Sequence, residues 1–323
     1  MSIIRRTLRQ ALVCVALTFV GGVAEAEPRS EVLRVVTTIP DLADICRQVG
    51  GESICVDCVA RGIEDLHAVR LRPSHMIATS RADLFVQIGL ALEHAWVPGL
   101  LESARNKKIG EDGPLSIGSG WPGLIEIPPV IDRTAGVDIH PLGNPHVNLD
   151  PRFGAFAARK IRDRFKELRP SLSALFDTRC AKYEKEIEAR SKRWAEVGKL
   201  LKGHKVVQYH KDFSYLLRAN GMVLFDAMEP KPGVPPTPKH LAKLIKNMRA
   251  EDVKLIVHAP CSPRRIAKEA AAKAGAEAME LAVMVQGETD NWLDFMDRSH
   301  DALLEACGLE LKESISPVEL IGG

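Results

Sequence analysis

From Leu33 onward, short apolar runs of strand length alternate with segments of helical period, and the alternation is broken once, by a single long polar helix. Residues 33–38 (LRVVTT) read as a strand and 39–49 as a helix with Pro40 and Asp41 in its first turn. A missing N–H and a negative charge are both favourable there. Residues 54–60 and 84–88 read as further strands, with helices over 73–80 and 89–104. Short apolar strands that each feed a helix point to mainly parallel sheets with helices on their faces. A Pro/Gly-rich stretch over 110–144 lacks periodicity; Asp150 and Pro151 then start a helical pattern that reaches Leu168. A second helical pattern, dense in Lys, Arg and Glu, runs from Pro170 to about Leu201. At 1.5 Å per residue it would extend roughly 45 Å, long enough to cross two domains. Beyond Gly203 the alternation restarts, with strands over 205–209, 223–227, 254–259 and 277–283 and a last helix over 290–307. The expected architecture is α/β. Two lobes of mainly parallel sheets flanked by helices, over 27–169 and 203–323, are joined by one long rigid linking helix over 170–202. No internal repeat is visible.

The first residues read as an address. Arg5, Arg6 and Arg9 precede an apolar stretch from Ala11 to Ala24, and Ala24-Glu25-Ala26 has the small-x-small form of a cleavage site. The stretch is too short for a membrane-spanning helix. A signal peptide over 1–26, removed after Ala26, and a periplasmic mature protein are therefore expected. Cys14 follows Val13 midway through the apolar stretch, so no lipid anchor is expected. The best later apolar run, 84–101, is interrupted by Gln87, Glu93 and His94. Removing residues 1–26 takes away three Arg and one Glu and brings basic and acidic residues into balance. Nothing in that balance points to a nucleic-acid partner.

Six of the seven cysteines lie beyond the leader: Cys46, Cys55, Cys58, Cys180, Cys261 and Cys307. In an oxidising compartment disulfides are the default, and Cys261–Cys307 is the pairing first expected. Cys55-Val56-Asp57-Cys58 sits inside a strand, away from a helix start that would stabilise a thiolate, so it reads as structural. Gly118-Ser119-Gly120-Trp121-Pro122-Gly123 has a dinucleotide-binding spacing, but Pro122 interrupts it and no helix follows.

Ligands of open α/β sheets bind beyond the carboxyl ends of strands. Three histidines fall there: His67 after the second strand, His146 ahead of a helix start, and His210 at the end of VVQY (206–209). Neutral imidazole is the commonest nitrogen donor to metals, and three suit Zn²⁺. Their wide spacing matches no local metal motif. The remaining histidines, among them His75, His258 and His300, have no companion donors and read as surface residues. His140 is alone in the 110–144 stretch, and no auxiliary zinc-collecting role is expected for that stretch.

Five segments, in order, resemble the zinc/manganese cluster of ABC-transporter solute-binding proteins. They are VVTTIPDLADICRQVGG (35–51), RGIEDLHAVRLRPSHMIATSRADLFVQIGLALEHAW (61–96), NPHVNLDP (144–151), VVQYHKDFSYLLRANGM (206–222) and EPKPGVPPTPKHLAKLI (229–245). The resemblance implies a two-lobe fold, a rigid linking helix and a metal held between the lobes by His67, His146 and His210. It also implies a membrane permease and its ATPase as partners, a monomeric non-enzymatic protein and a fold shared with surface adhesins. Two departures stand out. The aspartate that many members place after the last strand is replaced by Ala282, leaving Glu280, Glu288, Asp290 or water as the fourth ligand. The His-rich loop of many zinc-binding members is also missing. Three imidazoles with at most one carboxylate favour Zn²⁺ over Mn²⁺.

A zinc-dependent hydrolase with a three-His site and an open water position is the main alternative, although the chain has no H-E-x-x-H. A binder of a non-metal solute, in which the histidines are incidental, is another. Proton competition is expected to weaken metal binding steeply from pH 7 to 5, because free imidazole titrates near 6.5.

Overall fold

The computed structural model describes residues 32–128, 138, 140–287 and 290–311. The leader over 1–26 and Glu288 lie outside the described residues. The first half holds β1 (Leu33–Thr37), α1 (Pro40–Gly50), β2 (Ile54–Cys58), α2 (Pro73–Arg81), β3 (Leu84–Gln87), α3 (Val97–Ala104), α4 (Lys107–Asp112), β4 (Leu115–Ser116) and α5 (Phe153–Leu168). The long helix α6 spans Ser173–Leu201. It is followed by β5 (Lys205–Gln208), α7 (Ser214–Ala219), β6 (Val223–Ala227), α8 (Pro238–Ala250), β7 (Leu255–His258), α9 (Arg264–Ala274), β8 (Glu277–Glu280) and α10 (Trp292–Ala306).

The strands form two four-stranded sheets, ordered β2-β1-β3-β4 and β6-β5-β7-β8, and every pairing is parallel. Both halves therefore use one topology, although no repeat is legible in the sequence. In each, the first strand sits inside the sheet and the chain reverses direction beside it, so the loops leaving its carboxyl edge open a crevice.

Helix α6 has 29 residues, roughly 44 Å at 1.5 Å per residue. Its buried residues Phe176, Cys180, Tyr183, Ile187, Trp194, Val197 and Leu201 recur at steps of three, four and once seven residues and form one apolar stripe. That stripe packs on α5, α1 and α10. Helix α10 is clamped on by Arg190, which bonds Asp294 at 2.6 Å and also pairs with Asp297, and by Trp194 Nε1 donating to Asp297 at 2.6 Å. Trp292 opens α10 completely buried. Its ring lies so close to Gly154 that a Cβ there would come within 2.3 Å of it.

Three expectations are corrected. The helix read over 89–104 begins only at Val97. Buried Glu93 instead accepts hydrogen bonds from the Ile88 and Gly89 amides and the Thr38 hydroxyl, at 2.8, 2.9 and 2.8 Å. Leu90 and Ala91 turn through φ of 55° and 65° to permit it, and burial pushes the Glu93 carboxyl up to about 7. The Cys261–Cys307 disulfide is not formed; all six described cysteines are free thiols. Cys261 lies between β7 and α9, which pack on β8 and α8, whereas Cys307 ends α10, which packs on α6. Cys55 and Cys58 are three apart in a strand and so point to opposite faces. Finally, His75, His258 and His300 are buried. The His300 ring stacks on Trp194 with centroids 5.4 Å apart.

Candidate metal centre

Each of the three sequence-predicted histidines is held by its own local device. His67 lies in the turn after β2, where its backbone N–H donates to Asp65 Oδ1 at 2.9 Å. Trp96 Nε1 donates to the Leu66 carbonyl at 2.9 Å and ties this turn to the start of α3. At Gly62 a Cβ would meet Gln286 Cα at 2.3 Å and Val285 O at 2.4 Å. Only glycine lets the His67 loop lie so close to the irregular segment following β8.

His146 is fixed by Asn144, whose Oδ1 accepts from the His146 backbone N–H at 2.9 Å and from Nδ1 at 3.0 Å. With Nδ1 protonated, the Nε2 lone pair is left for a metal. Asn144 Nδ2 in turn donates to the Lys211 carbonyl at 2.7 Å, and Tyr215 OH donates to the Asn144 carbonyl at 2.8 Å. The segments that carry His146 and His210 are thus cross-linked to each other.

His210 follows β5, and its Nδ1–H donates to Glu229 Oε2 at 2.8 Å. The same oxygen accepts from the Gly233 amide at 2.9 Å. Glu229 and its proline-rich turn therefore set the His210 tautomer and aim Nε2 inward. In the sequence this turn was legible only as a turn; glutamate at its first position was the missed signal.

One donor atom from each of His67, His146 and His210 lies within 4.8 Å of the other two, although the residues are far apart in the chain. The ring centroids of the three are 5.3, 5.4 and 5.6 Å apart. Zn–N bonds of about 2.0–2.1 Å in a tetrahedron put donors roughly 3.3–3.4 Å apart, so small adjustments bring these rings to one ion. Both ring nitrogens of His67 are buried without a hydrogen-bond partner. Uncompensated polar atoms of this kind are rare in protein interiors, and a bound ion is one partner that would satisfy them.

A fourth ring, not anticipated from the sequence, borders the cluster. His140 lies 5.0 Å from His67 and 6.3 Å from His146, centroid to centroid. Its two nitrogens are also buried and unpartnered. Of the carboxylates weighed for a fourth ligand, Glu280 is exposed at the end of β8 and Asp290 is held by Arg298 at 2.8 Å.

The electrostatics divide the site. Burial, and then the charge of His210, lowers His67; burial, then His67 and His210, holds His146 well below its usual range. Burial also disfavours the charged form of His210, but Asp212 and the Glu229 hydrogen bond outweigh it and push the imidazole up to about 9. Burial raises Asp212 to about 6, held back by His210. Neutral His146 presents Nε2 to Asp212 Oδ1 at 3.3 Å. Two lone pairs facing each other at that distance favour a cation between or beside them.

Removing the Glu229 carboxylate should therefore weaken metal binding. Glu229→Ala frees His210 to rotate and change tautomer, and a loss of roughly 10- to 100-fold in zinc affinity is expected. Competition with a zinc chelator measures it, and an unchanged affinity would show that the bond to His210 is immaterial.

Comparison with known proteins agrees with this geometry. The sequence model of the family described as zinc-uptake complex component A, periplasmic (ZnuA), matches residues 35–306. The high-affinity zinc uptake system protein ZnuA of Bacillus subtilis is 21% identical over 292 residues, covering 87% of this chain and 89% of that protein. The manganese ABC transporter substrate-binding lipoprotein PsaA of Streptococcus pneumoniae is 24% identical over 229 residues, covering 69% and 71%. Among solved structures, a zinc-bound ZnuA deletion mutant superposes with a TM-score of 0.71 at 20% identity, over 85% of this chain and 98% of that one. The fold is therefore the two-sheet, long-helix fold of those proteins.

Proposed function

The chain belongs to the periplasmic zinc-uptake component A (ZnuA) family, and from that membership we propose that it captures Zn²⁺ at His67, His146 and His210 outside the cytoplasm. Its relatives are substrate-binding proteins of ABC importers, not enzymes, so the zinc-hydrolase alternative finds no support. In this reading a signal peptide over 1–26 is removed, a monomer carries the ion, and a permease with its ATPase receives it. The metal is cargo.

The observation that carries the reading is the convergence of three histidines from three distant segments on one point, two of them neutral and all three buried or nearly so. Nitrogen donors favour zinc over manganese, which prefers oxygen. The relatives include carriers named for either metal, so the donor set is what selects zinc here. The decisive experiment loads metal-free protein with equal zinc and manganese and measures the metal retained after desalting. About one zinc per chain and no manganese is expected. Retained manganese, or no metal at all, would overturn the reading.

Binding should also release a proton. His210, at about 9, carries one at neutral pH, and the incoming ion must displace it from Nε2. His67 and His146 are already neutral there, because burial lowers both. Near pH 7–8 we expect about one proton released per zinc, so affinity rises about ten-fold per pH unit and levels off above about 9. Below pH 7 the loss continues at about ten-fold per pH unit, so affinity still falls from pH 7 to 5, with His210 as its main source. Calorimetry in buffers of different ionisation enthalpy counts the protons; a count near zero or three would contradict the assignment.

A further inference from the structure

The three histidines account for three of the four positions around a tetrahedral zinc ion. We propose that His140 supplies the fourth donor, making the site all-imidazole and closed to water. The inference rests on the zinc-capture reading above.

The geometry points to His140 in three ways. Its ring sits 5.0 Å from His67 and 6.3 Å from His146, the first within the spacing of the other three rings and the second within an ångström of it. Both of its nitrogens are buried and outside ordinary hydrogen-bond geometry, with only the Ala91 backbone as a weak neighbour, close to the state of those of His67 beside it. A buried imidazole with two unmet nitrogens is costly to keep without a ligand, since each forfeits its bond to water. Its backbone is also anchored. The His140 carbonyl accepts from the Gly143 amide at 3.0 Å, and the Asn144 amide donates to Ile125 O at 2.8 Å. The residue that orients His146 thus lies one turn from His140.

His140 also lines a cavity of about 320 Å³ together with His146, His210, Asp138 and Glu126. Its ring thus shares this cavity wall with two of the other three rings. Coordination from this side would displace the last water and leave a coordinatively saturated ion, which suits carriage and not hydrolysis. Four nitrogens would also sharpen the preference for zinc over manganese.

Asp212 is the competing donor, with Oδ1 3.3 Å from His146 Nε2. Its charge is already engaged in holding the His210 proton. The test compares the zinc-loaded full chain with His140→Ala, His140→Gln and Asp212→Asn. It uses zinc K-edge X-ray absorption to count imidazoles and chelator competition to measure affinity. Four imidazoles in the parent and three in His140→Ala, with zinc affinity down roughly 10- to 100-fold and the zinc-to-manganese preference narrowed, are expected. His140→Gln keeps the volume and serves if the alanine variant folds poorly. Three imidazoles in the parent, or an unchanged count and affinity in both His140 variants, would overturn the proposal. So would loss of a first-coordination oxygen in Asp212→Asn alone. In each of those outcomes zinc is still bound, so they are distinct from failure of the capture reading, in which the parent holds no zinc.

Discussion

Alanine at His67, His146 and His210 together is expected to abolish tight zinc binding, by several orders of magnitude in affinity. Structural zinc sites are worth an apparent binding free energy of about 10–16 kcal/mol shared among four donors, so three lost donors remove most of it. The single variants should differ in a way the geometry dictates. His146→Ala removes the ring fixed by Asn144, and His67→Ala removes two unpaired buried nitrogens. Both should lose affinity without loss of metal-free stability. His210→Ala should be the exception, because it leaves Asp212 and Glu229 close together without the imidazolium between them. Leaving a buried charge uncompensated is costly, so the metal-free form of this variant alone should be destabilised. Isothermal titration with zinc and denaturant unfolding of the metal-free proteins check the two halves separately. Retention of zinc by the triple variant would place the site elsewhere.

The second large effect lies away from the metal. Trp292→Ala is expected to destabilise the protein by about 3–5 kcal/mol, the range for deleting a buried aromatic ring. Trp292 packs against Gly154, its ring lies 6.3 Å from Phe153 and meets Trp194 edge-on at 5.9 Å, and its Nε1 donates to the Asn148 carbonyl at 3.0 Å. Its backbone amide is further held by Asp44 Oδ2 at 2.8 Å. Asn148 in turn donates to Asp41 Oδ1 and to the Val283 carbonyl, at 3.1 and 2.8 Å, and Asp41 Oδ2 accepts from the Val285 amide at 3.0 Å. One buried ring thus supports α10, α5 and the segment that presents His146. Urea unfolding of the variant, beside the exposed control Ile63→Ala, measures the effect. Equal midpoints for the two would mean that the cavity collapses fully or that the ring bears no load.

Much of the fold was legible because its signals are local. The apolar runs that became β1, β3, β5 and β7 need only their own composition to be read as buried strands. The continuous polar period of α6 needs only its length. What misled was interaction at a distance. Residues 89–96 have helical period, yet Glu93 prefers the Ile88 and Gly89 amides and the Thr38 hydroxyl, so the helix waits for Val97. Cys261 and Cys307 read as partners because one follows a strand-like run and the other lies in the last helix, but they stand on elements that pack against different neighbours. His300 looked like a surface residue because nothing in its own segment shows that Trp194 covers it.

By itself the sequence determined most of the elements, their parallel arrangement and three candidate histidines, since periodicity, strand ends and family motifs are carried by adjacent residues. Tertiary structure alone decided what those histidines can do. It set Glu229 behind His210, Asn144 behind His146 and His140 beside His67, and it made two imidazoles neutral and one charged. Burial and the distance between groups remote in the chain fix a pKa and a coordination shell, and both quantities exist only once the two sheets have closed around the same point.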